Sequence, residues 1–324
     1  MEIKKLIKNN IIVPISLSFK KNLEIDYKNT AKHINFLIKE KVSILYLAQS
    51  ASELERMSAY ERIKIAKFVS KIINRRTALL LQPLAHTHID DQINEAKQLM
   101  KFNFDALVIK PLGEKGKQDF YSTRFKLSEY NSNRHDDYYY NYMKKICNTL
   151  KVPIIFHHSE INNSKGLSIK ILNKILKIKN IIALKEHNKS LKTRNKIYNE
   201  FSKKVVCFDG FSKSDFISSY KYGATAKHSN FSWFEPKWDR LFIKLLKDKK
   251  FNAAKKMCGV EKIIKDAIIL TGYAGYKELV KNNKIISNQA FTRMPGCNLN
   301  IKQKKMIKKA YLNFQKKKNY FNFY

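Results

Sequence analysis

Lys185 closes a short apolar run, Ile181-Ile182-Ala183-Leu184, whereas most lysines of this chain lie among polar neighbours. A lysine delivered by a buried strand to the mouth of a low-dielectric core loses hydration, so its ammonium form is disfavoured and its pKa falls. The neutral amine is the nucleophile that forms a Schiff base with a carbonyl substrate. A strand-end lysine in a salt bridge with a nearby carboxylate is the competing reading. Histidines stand in comparable places, at His157-His158, His187 and His228. Imidazole titrates near neutrality and suits proton transfer; the bland alternative is a histidine hydrogen-bonded to a loop backbone. The segment Gln49-Ser50-Ala51-Ser52-Glu53 is small and polar, with amides and hydroxyls suited to a carboxylate. A turn whose hydroxyl caps a backbone amide has the same composition. His158, His187 and His228, with Glu53 or Glu160, also contain the donor types of a divalent-metal site that polarises a carbonyl. No diagnostic ligand spacing such as His-Glu-x-x-His is present, so no metal is assigned.

These side chains need elements to carry them. Short β-rich runs alternate with longer helical patterns. Strands are predicted at 11–18, 43–47, 77–81, 106–109, 153–156, 181–184, 205–208 and 224–228. Helices are predicted at 27–39, from Ser58 onward, and at 89–102, 138–150, 168–176, 191–201, 212–222 and 233–246. Ser58 with Glu61 three residues later forms a capping box. Eight strand-helix units in about 240 residues predict a closed (β/α)₈ TIM barrel rather than an open sheet. The expected division is a barrel over residues 8–248 and a C-terminal helical extension over 249–324. A polar segment, Gly113 to Arg134, interrupts the rhythm after the fourth strand and is expected to shape the substrate site.

In such barrels chemistry gathers at the C-terminal ends of strands. Gln49 to Glu53 then follow strand two, His157-His158 strand five, Lys185-Glu186-His187 strand six and His228-Ser229-Asn230 strand eight. This arrangement resembles the dihydrodipicolinate synthase/N-acetylneuraminate lyase family over about residues 8 to 300. The family's Gly-Thr-Thr-Gly-Glu turn aligns with Gln49 to Glu53, and its Ile-Lys-(Asp/Glu) motif with Leu184-Lys185-Glu186. Asp209-Gly210, Tyr222-Gly223-Ala224 and Arg293-Met294-Pro295 match later family segments. The resemblance implies a class I lyase or aldolase: Lys185 forms the imine with pyruvate or another 2-oxo acid and an aldehyde is the second substrate. It implies that Ser50, Ala51 and Gln49 hold the carboxylate, that His158 and His228 contact substrate, and that no cofactor is needed. It also implies a homotetramer. The family's proton-shuttling tyrosine, in a Tyr-Asn pair after strand five, is replaced by His157-His158, which makes His157 the acid/base. Its Pro-Tyr-Tyr after strand four is Pro111-Leu112-Gly113, and the arginine of true dihydrodipicolinate synthases falls near Asn162. These departures argue against lysine-biosynthetic dihydrodipicolinate formation.

Composition bounds the remaining possibilities. A hydrophobic fraction of 44% over 324 residues is that of a globular chain. No apolar run approaches the roughly 18–20 residues that cross a bilayer. The basic start, followed by a short stretch broken at Pro14, reads as a first strand rather than a signal peptide. Four cysteines without a CxxC pair fit a reduced, cytoplasmic protein. The net charge of +37 would attract nucleic acid through counterion release. The lysines, however, are spread along the chain, as codon bias produces, and a solvated surface is the reading adopted. The dense stretch from Lys302 to Lys318 carries Ile301, Met306, Ile307, Ala310 and Tyr311 at helical spacing and reads as a docked amphipathic helix. Two rival classes remain: a catalytically silent barrel that binds a sugar acid or a protein, and a polyanion-binding protein.

Overall fold

A computed structural model of the chain describes residues 3–84, 88–111, 132–159, 167–287, 291–293 and 298–321, without the side chains of 132–136 and 320. Eight strands hydrogen-bond in chain order and close on themselves: β1 (Ile11–Pro14), β2 (Ile44–Leu47), β3 (Ala78–Leu81), β4 (Ala106–Ile109), β5 (Ile154–Ser159), β6 (Ile181–His187), β7 (Val206–Asp209) and β8 (Ala224–His228). The pairings with assigned register are parallel. The first four strands and β7 are buried at every position, because the strands of a parallel barrel are covered on both faces.

Helices separate the strands: α1 (Ile3–Ile7) precedes β1, and α2 (Tyr27–Lys39), α3 (Ala59–Ile73), α4 (Ile89–Leu99), α5 (Ser132–Leu150), α6 (Ile169–Leu176), α7 (Leu191–Phe201) and α8 (Lys213–Lys221) follow β1 to β7 in turn. Serine starts several of them. Ser58 and Glu61 form both bonds of the predicted capping box on α3. Ser168, Ser190 and Ser212 each accept a backbone N–H from the first turn of α6, α7 and α8. After β8 come α9 (Pro236–Lys247), α10 (Phe251–Ile269), α11 (Gly272–Asn282) and α12 (Ile301–Lys318). The expected amphipathic helix is α12, whose Ile307 and Phe314 are buried.

The chain packs as two units, residues 1–8 with 79–227 and residues 9–78 with 228–324. In the second, the Trp233 indole donates to the Pro14 carbonyl, and the His33 ring nitrogens lie against the carbonyls of Trp233 and Ser16. Burial pushes His33 down to about 4, although these two hydrogen bonds act in the other direction.

Four expectations need correction. The basic start forms the short helix α1 before β1 begins. β1 stops at Pro14, though the Ile15 N–H still donates to Tyr46, so pairing continues one residue further. The helix expected at 233–246 divides into a 3₁₀ turn at Phe231–Trp233 and α9, because Pro236 lacks an N–H and begins a helix rather than continuing one. β5 and β6 run beyond their expected ends, to Ser159 and His187. Most of the polar segment Gly113 to Arg134 lies outside the described residues. Among the described residues no helix is long and apolar enough to cross a membrane.

Candidate active site

The extensions of β5 and β6 take the candidate residues into the sheet itself. The register pairs Phe156 with Leu184, His157 with Lys185 and His158 with Glu186. Paired residues of parallel strands project to the same face, and successive residues alternate. His157 and Lys185 therefore share one face, while His158 and Glu186 share the other. β4 and β7 continue the row: Ile109 pairs with Phe156, which puts Lys110 one step on at the level of His157, and Lys185 pairs with Phe208.

Lys185 is 7% exposed. Burial, then the positive charges of Lys110 and Lys227, push its amine down to about 7. Both charges come from the same unit. Lys227 is buried and its Nζ donates to the Asp209 backbone oxygen at 3.4 Å. Lys110 is half-buried and lines a small recess with Tyr139, His157, His158 and Ser159. The buried His157 ring lies 6.1 Å from that of His187. Desolvation, followed by Lys185, Lys110 and Lys227, lowers the His187 pKa. The His187 ring packs at 4.7 Å from Phe211, over Gly210, where a Cβ would stand 2.7 Å from its Cδ2.

The opposite face holds a buried network. The Leu167 N–H donates to His158 Nε2 at 3.0 Å, which leaves Nδ1 to carry the proton and donate to Glu186 Oε2 at 2.6 Å. Glu186 Oε1 accepts from the Asn188 N–H at 2.8 Å. Beside it, Arg194 donates to Asp209 and Asp215 and to the carbonyls of Asn188 and Lys189. Asp209 also accepts from the Tyr198 hydroxyl and the Phe211 N–H. Both His158 nitrogens thus hydrogen-bond protein groups, tying β5 to β6 and to the residue before the Ser168 cap of α6.

The other candidates belong to the second unit. After β2 the chain makes a tight turn in which the N–H groups of Ser52, Glu53 and Leu54 return to the carbonyls of Ala48, Ser50 and Gln49. Ser52 Oγ accepts from the Ala48 N–H and donates to the Ile15 carbonyl, fixing the turn to the end of β1. Ser50 is exposed and donates to Glu55 at 2.7 Å; Ala51 is buried and Gln49 half-buried. Glu53 takes a left-handed φ of 57° and buries its carboxylate against the Lys277 ammonium, with its second oxygen accepting from the Arg293 N–H. Arg293 in turn binds Glu61 through both terminal nitrogens. His228 is half-buried with its ring edge-on to Tyr46. Among the described residues no three His, Cys, Asp or Glu side chains are grouped to hold a metal ion; Glu160 lies outside them.

Lys110, Lys227 and Arg194 were not singled out by the sequence. Lys227 also lies within a predicted strand, but after Ala224-Thr225-Ala226 rather than an apolar run like the one that marked Lys185. Arg194 sits in a polar helix and gave none.

In closed (β/α)₈ barrels active sites lie at the C-terminal ends of the strands, and a buried strand-end lysine with a lowered pKa is suited to reaction with a carbonyl. Residues 8–312 match the dihydrodipicolinate synthetase family, and the chain belongs to that family. It is similar in fold to dihydrodipicolinate synthase from Oceanobacillus iheyensis, with a TM-score of 0.82, 15% identity and coverage of 97% of this chain and 99% of that one. It is likewise similar to N-acetylneuraminate lyase from Fusobacterium nucleatum complexed with pyruvate, with a TM-score of 0.79, 17% identity and coverage of 95% and 97%. A 4-hydroxy-tetrahydrodipicolinate synthase from Karelsulcia muelleri (strain GWSS) is 22% identical over 204 residues, 62% of this chain. The chain spans 63% of that relative's length.

Proposed function

We propose that the protein is a class I lyase or aldolase that forms a Schiff base between Lys185 and pyruvate or another 2-oxo acid. The observation that carries this reading is the Lys185 amine, buried on β6 and held near a pKa of about 7 by desolvation and two neighbouring ammonium groups. The neutral amine adds to the keto carbon, water leaves, and the protonated imine draws electrons from the adjacent carbon–carbon or carbon–hydrogen bond. His157, paired with Lys185 in register, moves the protons in place of a tyrosine. By resemblance to the family, Ser50, Gln49 and the Ala51 amide receive the substrate carboxylate and His228 adds a polar contact. His158 orients β5 through Glu186.

In this reading residues 8–248 form the catalytic barrel and 249–324 a helical extension. The protein works in the cytoplasm as a homotetramer, requires no organic cofactor, and takes an aldehyde as its second substrate. Borohydride reduction in the presence of pyruvate, followed by intact mass and peptide mapping, tests the central step. The expected result is a reduced adduct on Lys185 that is absent from Lys185→Ala. No adduct with pyruvate or with longer 2-oxo acids would overturn the class I reading.

A further inference from the structure

The turn after β2 holds a shape that its own residues do not favour. Glu53 has a left-handed φ of 57°, a region that an L side chain rarely occupies, and no glycine stands between Gln49 and Glu53 to take that position. Its buried carboxylate is fixed from the C-terminal part of the same unit. The buried Lys277 ammonium of α11 donates to Glu53 Oε1, and the Arg293 N–H donates to Oε2 at 2.7 Å. Lys277 also donates to the Phe291 carbonyl at 3.1 Å, and Phe291 forms an antiparallel bridge with Phe19. Both cations stand over the Phe19 ring, with Lys277 Nζ 4.6 Å and the Arg293 guanidinium carbon 4.9 Å from its centre. The Arg293 side chain continues to the chain on either side of the turn. It donates to the carbonyls of Leu23 and Arg56 and to both carboxylate oxygens of Glu61, the capping residue of α3.

We infer that Lys277 and Arg293 are positioning residues for the substrate carboxylate, acting through the conformation of the Gln49 to Glu53 turn rather than by contact. The inference rests on the reading of this turn as the carboxylate cradle, and it adds what that reading leaves open, the groups that keep the cradle in shape. Amides and hydroxyls grip an anion only when they converge on it, and convergence depends on backbone angles more than on residue type. The bonds within the turn, from Ser52, Glu53 and Leu54 to Ala48, Ser50 and Gln49, are local and neutral. The Lys277 contact to Glu53 is charge-assisted and shielded from water, which makes it the stronger restraint. Without Lys277 the Glu53 carboxylate keeps a backbone donor but loses its buried counter-charge. Glu53 then turns toward water, and its left-handed angle relaxes with it. Without the Arg293 side chain the segment that supplies the second donor loses its hold on Leu23, Arg56 and Glu61.

Oxamate, a carboxylate with the shape of pyruvate whose amide carbonyl does not form an imine, tests the cradle apart from the chemistry. It would be titrated calorimetrically into wild type, Lys277→Met, Arg293→Met and Ser50→Ala, each checked for folding by circular dichroism. Trp238→Leu, at a buried side chain of α9 packed on Phe314, controls for loss of stability in general. Arg293→Met leaves the Lys277–Glu53 pair in place and carries the test if Lys277→Met does not fold. Oxamate affinity is expected to fall at least about tenfold in Lys277→Met and about threefold in Arg293→Met, with no change in Trp238→Leu. The pH midpoint of pyruvate trapping is expected to stay near about 7 in both cation variants, because the Lys185 amine is not what they disturb. Unchanged affinity in every folded cation variant overturns the inference, and a loss confined to Ser50→Ala would then leave the turn as the cradle without this clamp. Absence of oxamate binding to wild type, an equal loss in Trp238→Leu, or a displaced pH midpoint in place of an affinity loss overturns it as well. Absence of a pyruvate adduct on Lys185 would instead refute the imine reading, while oxamate binding still reports on the turn.

Discussion

At the scale of single residues, the Lys185 amine governs both reactivity and stability. Its neutral fraction grows as pH rises through about 7. The rate of pyruvate trapping is therefore expected to climb close to tenfold per pH unit below that value and to level off above it. A profile still rising toward pH 10 would mean that the amine is not perturbed. The same shift has a thermodynamic sign. The folded-state pKa lies below the ordinary value of 10.5, so between about pH 7 and that value the unfolded chain binds more protons, and stability rises with pH across that window. At pH 6, with the cost of a buried charge fully present, Lys185→Met is expected to raise the melting temperature while abolishing the adduct. The gain is on the order of a few kcal/mol. An unchanged or lower melting temperature would show that Lys185 is well compensated. The sequence marked Lys185 and His157 because both follow apolar runs. It separated His157, as acid/base, from His158, as a substrate contact, only through the family resemblance; that the two project to opposite faces follows from strand register.

At the scale of elements, β5, β6 and β7 are joined behind the candidate site by His158–Glu186 and by Arg194 with Asp209. Arg194 is fully buried, and its removal leaves a buried carboxylate without its cation. Arg194→Met is expected to lose about 3–5 kcal/mol of stability, measured as a urea midpoint shift at constant m. A loss below about 1 kcal/mol would show that Tyr198 and the Phe211 N–H suffice for Asp209. Helix starts were legible from single residues, as Ser58 with Glu61 shows, because a cap is a local bond between close neighbours. The ends of β5 and β6 were not. Histidine, lysine and glutamate lack the look of strand residues, and they lie within these strands because neighbouring strands supply hydrogen bonds to their backbones and partners to their side chains.

At the scale of the whole molecule, a net charge of +37 raises the question of polyanions. A labelled single-stranded oligonucleotide is expected to bind at low salt and to be released by about 150 mM salt, with a steep dependence on ionic strength. Sub-micromolar affinity surviving at that salt would favour a nucleic-acid role. The alternation of strands and helices, the serine caps, the strand-end lysine and the family resemblance were all determined by the sequence alone, since periodicity and turn chemistry act over a few residues. Only the tertiary structure decided that His158 is tied to Glu186, that Glu53 is buried against Lys277, and that the charges of Lys110 and Lys227 act on Lys185. Those facts depend on register and burial between strands and helices far apart in the chain, and no local pattern encodes which residues meet there.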